Sequence, residues 1–491
     1  TGDFRKTIRA MAAASVQYLF GLALLSLASV ALVPLYTRRL SPSEFGVFAL
    51  IDVTVLGILA VSSLGLNIAY LKWFANVQAD TVPALFSEMV IAGSAAAVVL
   101  GVAFFVIVRS KWGIQWLDTS TVGFAWMLLP IVVAETLENL LLAHLRALRR
   151  PIAFCCASAA RLVAIVAFSL WYLGVRHMEL TGVFLGRLAG DVAGVAVLIL
   201  LCSDAFTWSF SRRRVASMVQ FGLPLVFSAL MATLLDASGR FFLNHYGSFS
   251  EVGLYSLGSK ISGLIRVFLI APFGAAWGGV IFQIAKEKNA SVIYSKVLSY
   301  VFLLAIVAAV VTNLFTPALL KIFATPAYSE AGRVVPLLLL MQAMVMMQYP
   351  TSLGIYLRGS TKVLALIYGG SLVLDLVLNR LLVARFGMIG AALALLAAWA
   401  ALVFCTAIVS QHYYALNYEA KPFILGILTW IVVFFFQKTG ITNSIDNLAY
   451  VSTFALTIVS IVIWFVVRDF RSTALHLEGL AFSPQHVEST E

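Results

Sequence analysis

The sequence predicts an all-α polytopic membrane protein of about 14 transmembrane helices. It reads as two six-helix lobes in a parallel pseudo-two-fold repeat, followed by two C-terminal helices. Three observations predict this. The chain is 62% hydrophobic and only 11% charged, with a mean hydropathy of +0.98. Soluble domains are about half apolar and a quarter charged. Apolar runs of about 20 residues, enough to cross a bilayer as helix, recur along the whole length. A ten-residue phrase also appears twice, and other segments repeat at nearly the same spacing.

The apolar runs lie near 11–36, 44–71, 84–108, 119–144, 151–174, 180–203, 217–244, 251–283, 291–315, 331–357, 363–384, 388–412, 421–437 and 446–468. The first follows RKTIR and is too long for a signal-peptide core, so it reads as a retained span. With the N-terminus in the cytoplasm, the inner segments hold nearly twice as many Lys and Arg as the outer ones. Clusters stand at Arg146, Arg149 and Arg150 and at Arg212–Arg214. Both termini are therefore expected to be cytoplasmic, although Arg38 and Arg39 fall on the opposite side. The net charge of +11 is scattered between apolar runs and gathers on no single stripe. It points to a membrane, with no nucleic-acid partner. Cys155, Cys156, Cys202 and Cys405 all fall in predicted helices and behave as small apolar residues. The six histidines show no metal spacing.

SPSEFGVFAL at 41–50 and SFSEVGLYSL at 248–257 are identical at five of ten positions, with their glutamates 207 residues apart (44 to 251). Ser41 with Glu44, and Ser248 with Glu251, each form a capping-box pattern that starts a helix. Pro42 suits the first helical position. Gly46 and Gly253 permit close helix approach. LRALRRPIA at 145–153 is matched by LRGSTKVLA at 357–365, and TGVFL at 181–185 by IGAAL at 389–393. Six spans followed by six more in the same order enter from the same side, which makes the repeat parallel. The expected units are 1–205, 206–415, a pair of spans over 416–470, and a cytoplasmic tail over 471–491. A cleft between the two bundles is the natural place for a substrate.

Four segments carry a family resemblance: PLYTRRLSPSEFGVFAL at 34–50, SLGLNIAYLKWF at 63–74, FGLPLVFSALMATLLDASGRFFLNHYGSFSEVGLYSLGSKI at 221–261 and YLRGSTKVLALI at 356–367. Over roughly residues 10–415 the chain resembles the Wzx-type polysaccharide-synthesis flippases. These belong to the multidrug/oligosaccharidyl-lipid/polysaccharide exporter superfamily. The resemblance implies a V-shaped pair of lobes in a bacterial inner membrane. It also implies a flippase of undecaprenyl-pyrophosphate-linked oligosaccharide repeat units, moved to the periplasmic leaflet by alternating access for exopolysaccharide or O-antigen synthesis. Lipid II flippases and cation-coupled drug antiporters of the same superfamily are the alternatives. Both usually carry charge in the first span, and here that span, MAAASVQYLFGLALLSLASVALVPLY, has none.

Ionisable residues at mid-bilayer cost on the order of 3 kcal/mol each, so they face cavities or partners. Arg161 has no acid within one turn and is expected to be a cavity arginine that binds phosphate through its fork of donors. Arg187 with Asp191, and Asp236 with Arg240, are spaced to neutralise each other at i,i+4. Lys260 and Arg266 stand about 120° apart round one helix, so one face does not hold both closely. Lys260 also resembles a cationic position of the family. Substrate-binding candidates are therefore Arg161, Arg187, Arg240, Lys260 and Arg266. Ion-coupling candidates are Asp52, Glu135, Glu138, Asp191 and Asp236, for H+ or Na+. Asp375, near Asn379 and Arg380, reads as a lobe-stabilising network. Pro272 with Gly274, Gly278 and Gly279 predicts a kink in the eighth span, with a hinge and static packing as its two readings. Trp126 and Trp277 are candidates to stack on sugars or to pack.

No Walker phosphate loop, nucleophile elbow or HExxH motif is present, so the reading is a transporter and not an enzyme. No cofactor and no metal are expected. The membrane glycosyltransferase or polymerase reading lacks a large polar outer loop. A non-transporting scaffold is the remaining rival. Expected partners are a polyprenyl-pyrophosphate-linked glycan, membrane lipids, and a polymerase and export machinery.

Overall fold

Breaks and caps written into the sequence set the helix boundaries. The structure is a computed structural model that describes residues 30–110, 125–285, 289–358, 360–416, 420–438 and 452–462, together with a few isolated positions. Helix α1 (Val33–Arg39) leads to α2 (Pro42–Ser62). Ser41 accepts from the Glu44 amide while the Glu44 carboxylate accepts from the Ser41 amide, so the predicted box is complete there. At Leu64 and Gly65 the chain turns left-handed and restarts as α3 (Leu66–Phe74). There follow α4 (Val82–Arg109), α5 (Ala125–Ala147), α6 (Pro151–Ser169), which ends in a π-turn over Leu170–Val175, and α7 (Glu179–Cys202).

The second lobe opens with α8 (Arg212–Tyr246) and α9 (Phe249–Ser262). Here Ser248 accepts from the Glu251 amide, but the Glu251 Oε2 atom is buried without a hydrogen-bond partner. The second box is thus half made. A π-turn over Arg266–Ile270 runs into α10 (Ala271–Ile284). The predicted irregularity of the eighth span is this turn, placed just ahead of Pro272, which has no N–H to continue the ladder. Gly274 packs against the Tyr349 ring. The surroundings of Gly278 and Gly279 lie outside the described residues. Then come α11 (Ala290–Leu314), α12 (Thr316–Phe323), a 3₁₀ segment (Pro326–Arg333), α13 (Val335–Thr351), α14 (Leu353–Arg358), α15 (Thr361–Tyr413) and α16 (Ala420–Lys438). A last apolar helix, α17, covers Ser452–Val462.

Among the described residues nine helices are long and apolar enough to cross a membrane, or ten if the pair Pro326–Arg333 and Val335–Arg358, bent by 52°, counts as one span. Helix α15 holds two of the predicted spans. They meet at Gly387, whose φ of 53° and ψ of −132° are non-helical and open only to glycine. Most of the predicted first span, part of the last and the tail over 471–491 lie outside the described residues.

The repeated phrases pack against each other. A Cβ on Gly46 would lie 1.8 Å from the Phe249 carbonyl oxygen, and one on Gly253 would lie 2.0 Å from that of Pro42. Phe249 stands to Pro42 as Gly253 stands to Gly46, 207 positions on. The contact is therefore self-complementary under the repeat, as at a two-fold axis. At the other end of α2, Gly65 meets Gly222 of α8, where a Cβ would be 2.6 Å from the Gly222 Cα. Two backbone-to-backbone contacts thus join the lobes, one towards each membrane face. The first turns of α8 pack on the N-terminal lobe, with Met218 buried among Leu66, Tyr70, Phe86 and Phe154. Its later turns, at Leu235 and Leu243, pack with α13 and α15.

Candidate functional site

Between the two interlobe contacts lies a cavity of about 980 Å³. One wall comes from α2, α3 and α5 and carries Asp52, Ser62, Ser63, Asn67, Glu135 and Asn139. The other comes from α8, α9, the following π-turn, α13 and α15. It carries Asp236, Arg240, Lys260, Arg266, Gln342, Tyr349 and Trp399. The space is large for a small-molecule site and has polar groups on both sides.

The N-lobe charges form one network. Arg161 Nη2 is 2.7 Å from Asp191 Oδ1 and 3.2 Å from Glu135 Oε1, and its Nε is 3.0 Å from Glu138 Oε2. Arg187 bridges Glu135 and Asp52, both at 2.8 Å. Lys260 Nζ crosses from the C-lobe to Asp52 Oδ2 at 3.5 Å. Arg161, Arg187, Glu138 and Asp191 therefore sit behind the wall and do not line the cavity. The expectation of an unpaired Arg161 reaching into the cleft is replaced by a triply paired one. Its own helix has no acid nearby, but α5 and α7 supply three. The expected Arg187–Asp191 pair is replaced in the same way, since each residue finds its partner on another helix.

In the C-lobe, Asp236 pairs with Arg266 at 2.6 Å and accepts from Trp399 Nε1 at 3.2 Å. Arg240 donates to the Asp236 backbone carbonyl at 2.9 Å and to Ser256 Oγ at 3.1 Å, with its guanidinium over the Tyr255 ring. The expected i,i+4 ion pair is thus only a bond to the backbone. Among the described residues no carboxylate lies within ion-pair distance of Arg240. Lys260 and Arg266 both line the cavity despite their angular separation, because α9 stops at Ser262 and the π-turn re-phases the chain.

Asp375 accepts from Ser238 Oγ, and Asn379 donates to the Asp375 carbonyl at 3.0 Å. Arg380 is outside that network, exposed and 5.1 Å from the Tyr246 ring. Trp277 is buried, stacks on Phe273 and donates to the Tyr349 carbonyl. Trp126 is exposed. Trp399, Gln342, Tyr349 and Ser256 were not singled out in the sequence, because apolar and neutral residues in apolar helices carry no charge signal. Buried Glu88, held bidentately by Arg214 at 2.7 Å, was missed for the opposite reason. Arg214 reads as one more loop cation, and the pairing is long-range.

Arg161→Ala is expected to leave Glu135, Glu138 and Asp191 buried with too little positive charge. Breaking a buried pair costs about 3–5 kcal/mol. The expected result is lower membrane abundance and a lower midpoint of thermal unfolding in detergent.

Residues 12–285, more than half of the chain, match the family model described as polysaccharide biosynthesis protein. The chain belongs to this family. No curated protein sequence matches it. Among solved structures, this family member is similar to the lipid II flippase MurJ in an inward closed conformation. That match has a TM-score of 0.71 at 12% identity, over 95% of this chain and 98% of that one. An inward-facing multidrug resistance MATE transporter of the MOP superfamily matches with a TM-score of 0.61 at 14% identity, over 81% and 94%. The Vibrio cholerae MATE transporter VcmN matches with a TM-score of 0.57 at 13% identity, over 84% and 98%. At these identities the likeness establishes the fold. The polysaccharide biosynthesis chain is a polytopic membrane protein with that two-lobed architecture.

Proposed function

We propose that the protein is a flippase for polyprenyl-pyrophosphate-linked oligosaccharide repeat units. It moves the headgroup through the interlobe cavity by alternating access while the lipid tail stays in the bilayer. The observation that carries this reading is Arg240, an oriented guanidinium on the cavity wall with no carboxylate partner among the described residues. Arginine suits phosphate because its planar fork donates two parallel bonds. Lys260, tied to Asp52 on the facing wall, and Arg266, tied to Asp236 on its own wall, supply further positive charge. Serines, asparagines and Gln342 offer neutral partners for sugar hydroxyls.

Ion coupling belongs to the N-lobe network in this reading. Asp52, Glu135, Glu138 and Asp191 face Arg161, Arg187 and Lys260. Four carboxylates against three cations leave one negative charge, which an H+ or Na+ ion would neutralise as access alternates.

The test uses the full chain in sealed vesicles with a fluorescent polyprenyl-pyrophosphate oligosaccharide. Protein-dependent loss of protection from a bilayer-impermeant glycosidase is the expected result. Movement of a cationic dye against a proton or Na+ gradient, with no movement of the glycolipid, would replace this reading by the drug antiporter.

A further inference from the structure

The segment between the lobes, 203–211, presents an aromatic face that the cavity does not use. Trp208 is 91% exposed and Phe210 50%, and the Phe206 ring stands edge-on to Trp208 at 5.3 Å. Arg212 and Arg213, both exposed, follow at once. A loose loop could carry such residues without consequence. This segment is pinned. The Thr207 amide donates to buried Ser87 Oγ at 2.8 Å, and the Ser211 amide donates to Glu88 Oε1 at 3.0 Å. Arg214 then clamps both oxygens of Glu88, whose carboxylate is fully buried.

Ser87 and Glu88 lie five and six residues inside α4, which starts at Val82. At 1.5 Å per residue that is about 8 Å below the helix end. The bracket therefore draws the segment down from the aqueous loops. Both of its neighbours, α7 and α8, are membrane-crossing helices. Tryptophan and phenylalanine held by this bracket, with two exposed arginines following in the first turn of α8, match the boundary between headgroups and acyl chains. The same face carries exposed Arg149 and Arg150 in the α5–α6 turn, and the nearest acid on the segment is Asp204. The positive excess selects an anionic surface.

We propose that residues 206–213 form a rigid membrane-interface anchor, with Trp208 and Phe210 inserted at the acyl boundary and Arg212 and Arg213 on the headgroups of anionic phospholipids. This is independent of what the cavity carries. Because the bracket ends on α8, whose first turns pack in the N-lobe and later turns in the C-lobe, the anchor holds the junction of the lobes to one leaflet.

The experiment uses the full chain in phosphatidylcholine vesicles with and without phosphatidylglycerol. The difference in emission between the parent protein and Trp208→Phe isolates one tryptophan of the ten. That emission is expected to be blue-shifted, quenched by lipids brominated near the carbonyl end of the acyl chain, and protected from iodide. Spin-labelled phosphatidylglycerol is expected to be preferred over phosphatidylcholine, and Arg212→Gln with Arg213→Gln to lower that preference by roughly fivefold per arginine at low salt. Neither variant touches the Glu88–Arg214 clamp, so the fold is retained and circular dichroism serves as the check. Red-shifted, iodide-quenched emission untouched by brominated lipid would overturn the proposal and make the face a docking surface for a soluble partner. An unchanged lipid preference in the double variant would equally overturn the headgroup assignment.

Discussion

Arg240→Ala is expected to weaken binding of a polyprenyl-pyrophosphate oligosaccharide by about 10- to 100-fold while membrane abundance stays normal. Hydrogen bonds to a charged group are worth about 1.5–3 kcal/mol, and each 1.4 kcal/mol is tenfold. The side chain is held by Ser256 and by the Asp236 carbonyl, so it is oriented before substrate arrives and little entropy is lost on binding. Its removal breaks no ion pair among the described residues, in contrast to Arg161. Arg240→Lys keeps the charge but loses the fork, and is expected to fall between the parent and Arg240→Ala. Titration of the purified variants with the glycolipid, read by intrinsic fluorescence, checks both. Parent-like affinity in Arg240→Ala would take Arg240 out of the site.

Gly253→Ala is expected to abolish transport through a single methyl group. That carbon would lie 2.0 Å from the Pro42 carbonyl oxygen, and the equivalent carbon on Gly46 would lie 1.8 Å from that of Phe249. The obstruction is backbone on both sides, so no rotamer change relieves it. The two helices must move apart by more than an ångström, against a packed core that resists continuous deformation. The α2–α9 contact then no longer closes. In that background the thiol of Ser259→Cys, at a position that lines the cavity, is expected to react faster with an impermeant thiol reagent added on that face. The control is Gly57→Ala, since nothing lies within 4 Å of the added carbon, and it should transport normally. Normal transport by Gly253→Ala would show that this contact does not have to close during the cycle.

The caps at Ser41 and Ser248, the division of 363–412 into two spans and the duplication behind them were legible because each is a local pattern or a comparison of the chain with itself; the left-handed Gly387 that makes the division was not read from the sequence. Reading SPSEFGVFAL and SFSEVGLYSL as copies did not reveal that they touch. The duplication specifies a symmetry, and only the packed lobes show that its axis runs between Gly46 and Gly253. The site was legible in part. Asp52, Glu135, Asp236, Arg240, Lys260 and Arg266 do line the cavity. Arg161, Arg187, Glu138 and Asp191 stand behind it. Reading a charge against its own helix assigns partners at i,i+4, and here the partners come from neighbouring helices: Asp191 with Arg161, Glu135 with Arg187 and Asp236 with Arg266.

What the amino-acid sequence by itself determined is the solvent, the recurrence of membrane-length helices, their duplication and the caps at Ser41 and Ser248. Those depend on composition, on runs of about 20 residues and on hydrogen bonds closed within a few positions. Only the tertiary structure decided which charges are neutralised and which face the cavity. In a low-dielectric interior the attraction between two charges falls with their separation in space, and a few ångströms between adjacent helices distinguish the triply paired Arg161 from Arg240, which has no carboxylate within ion-pair distance among the described residues.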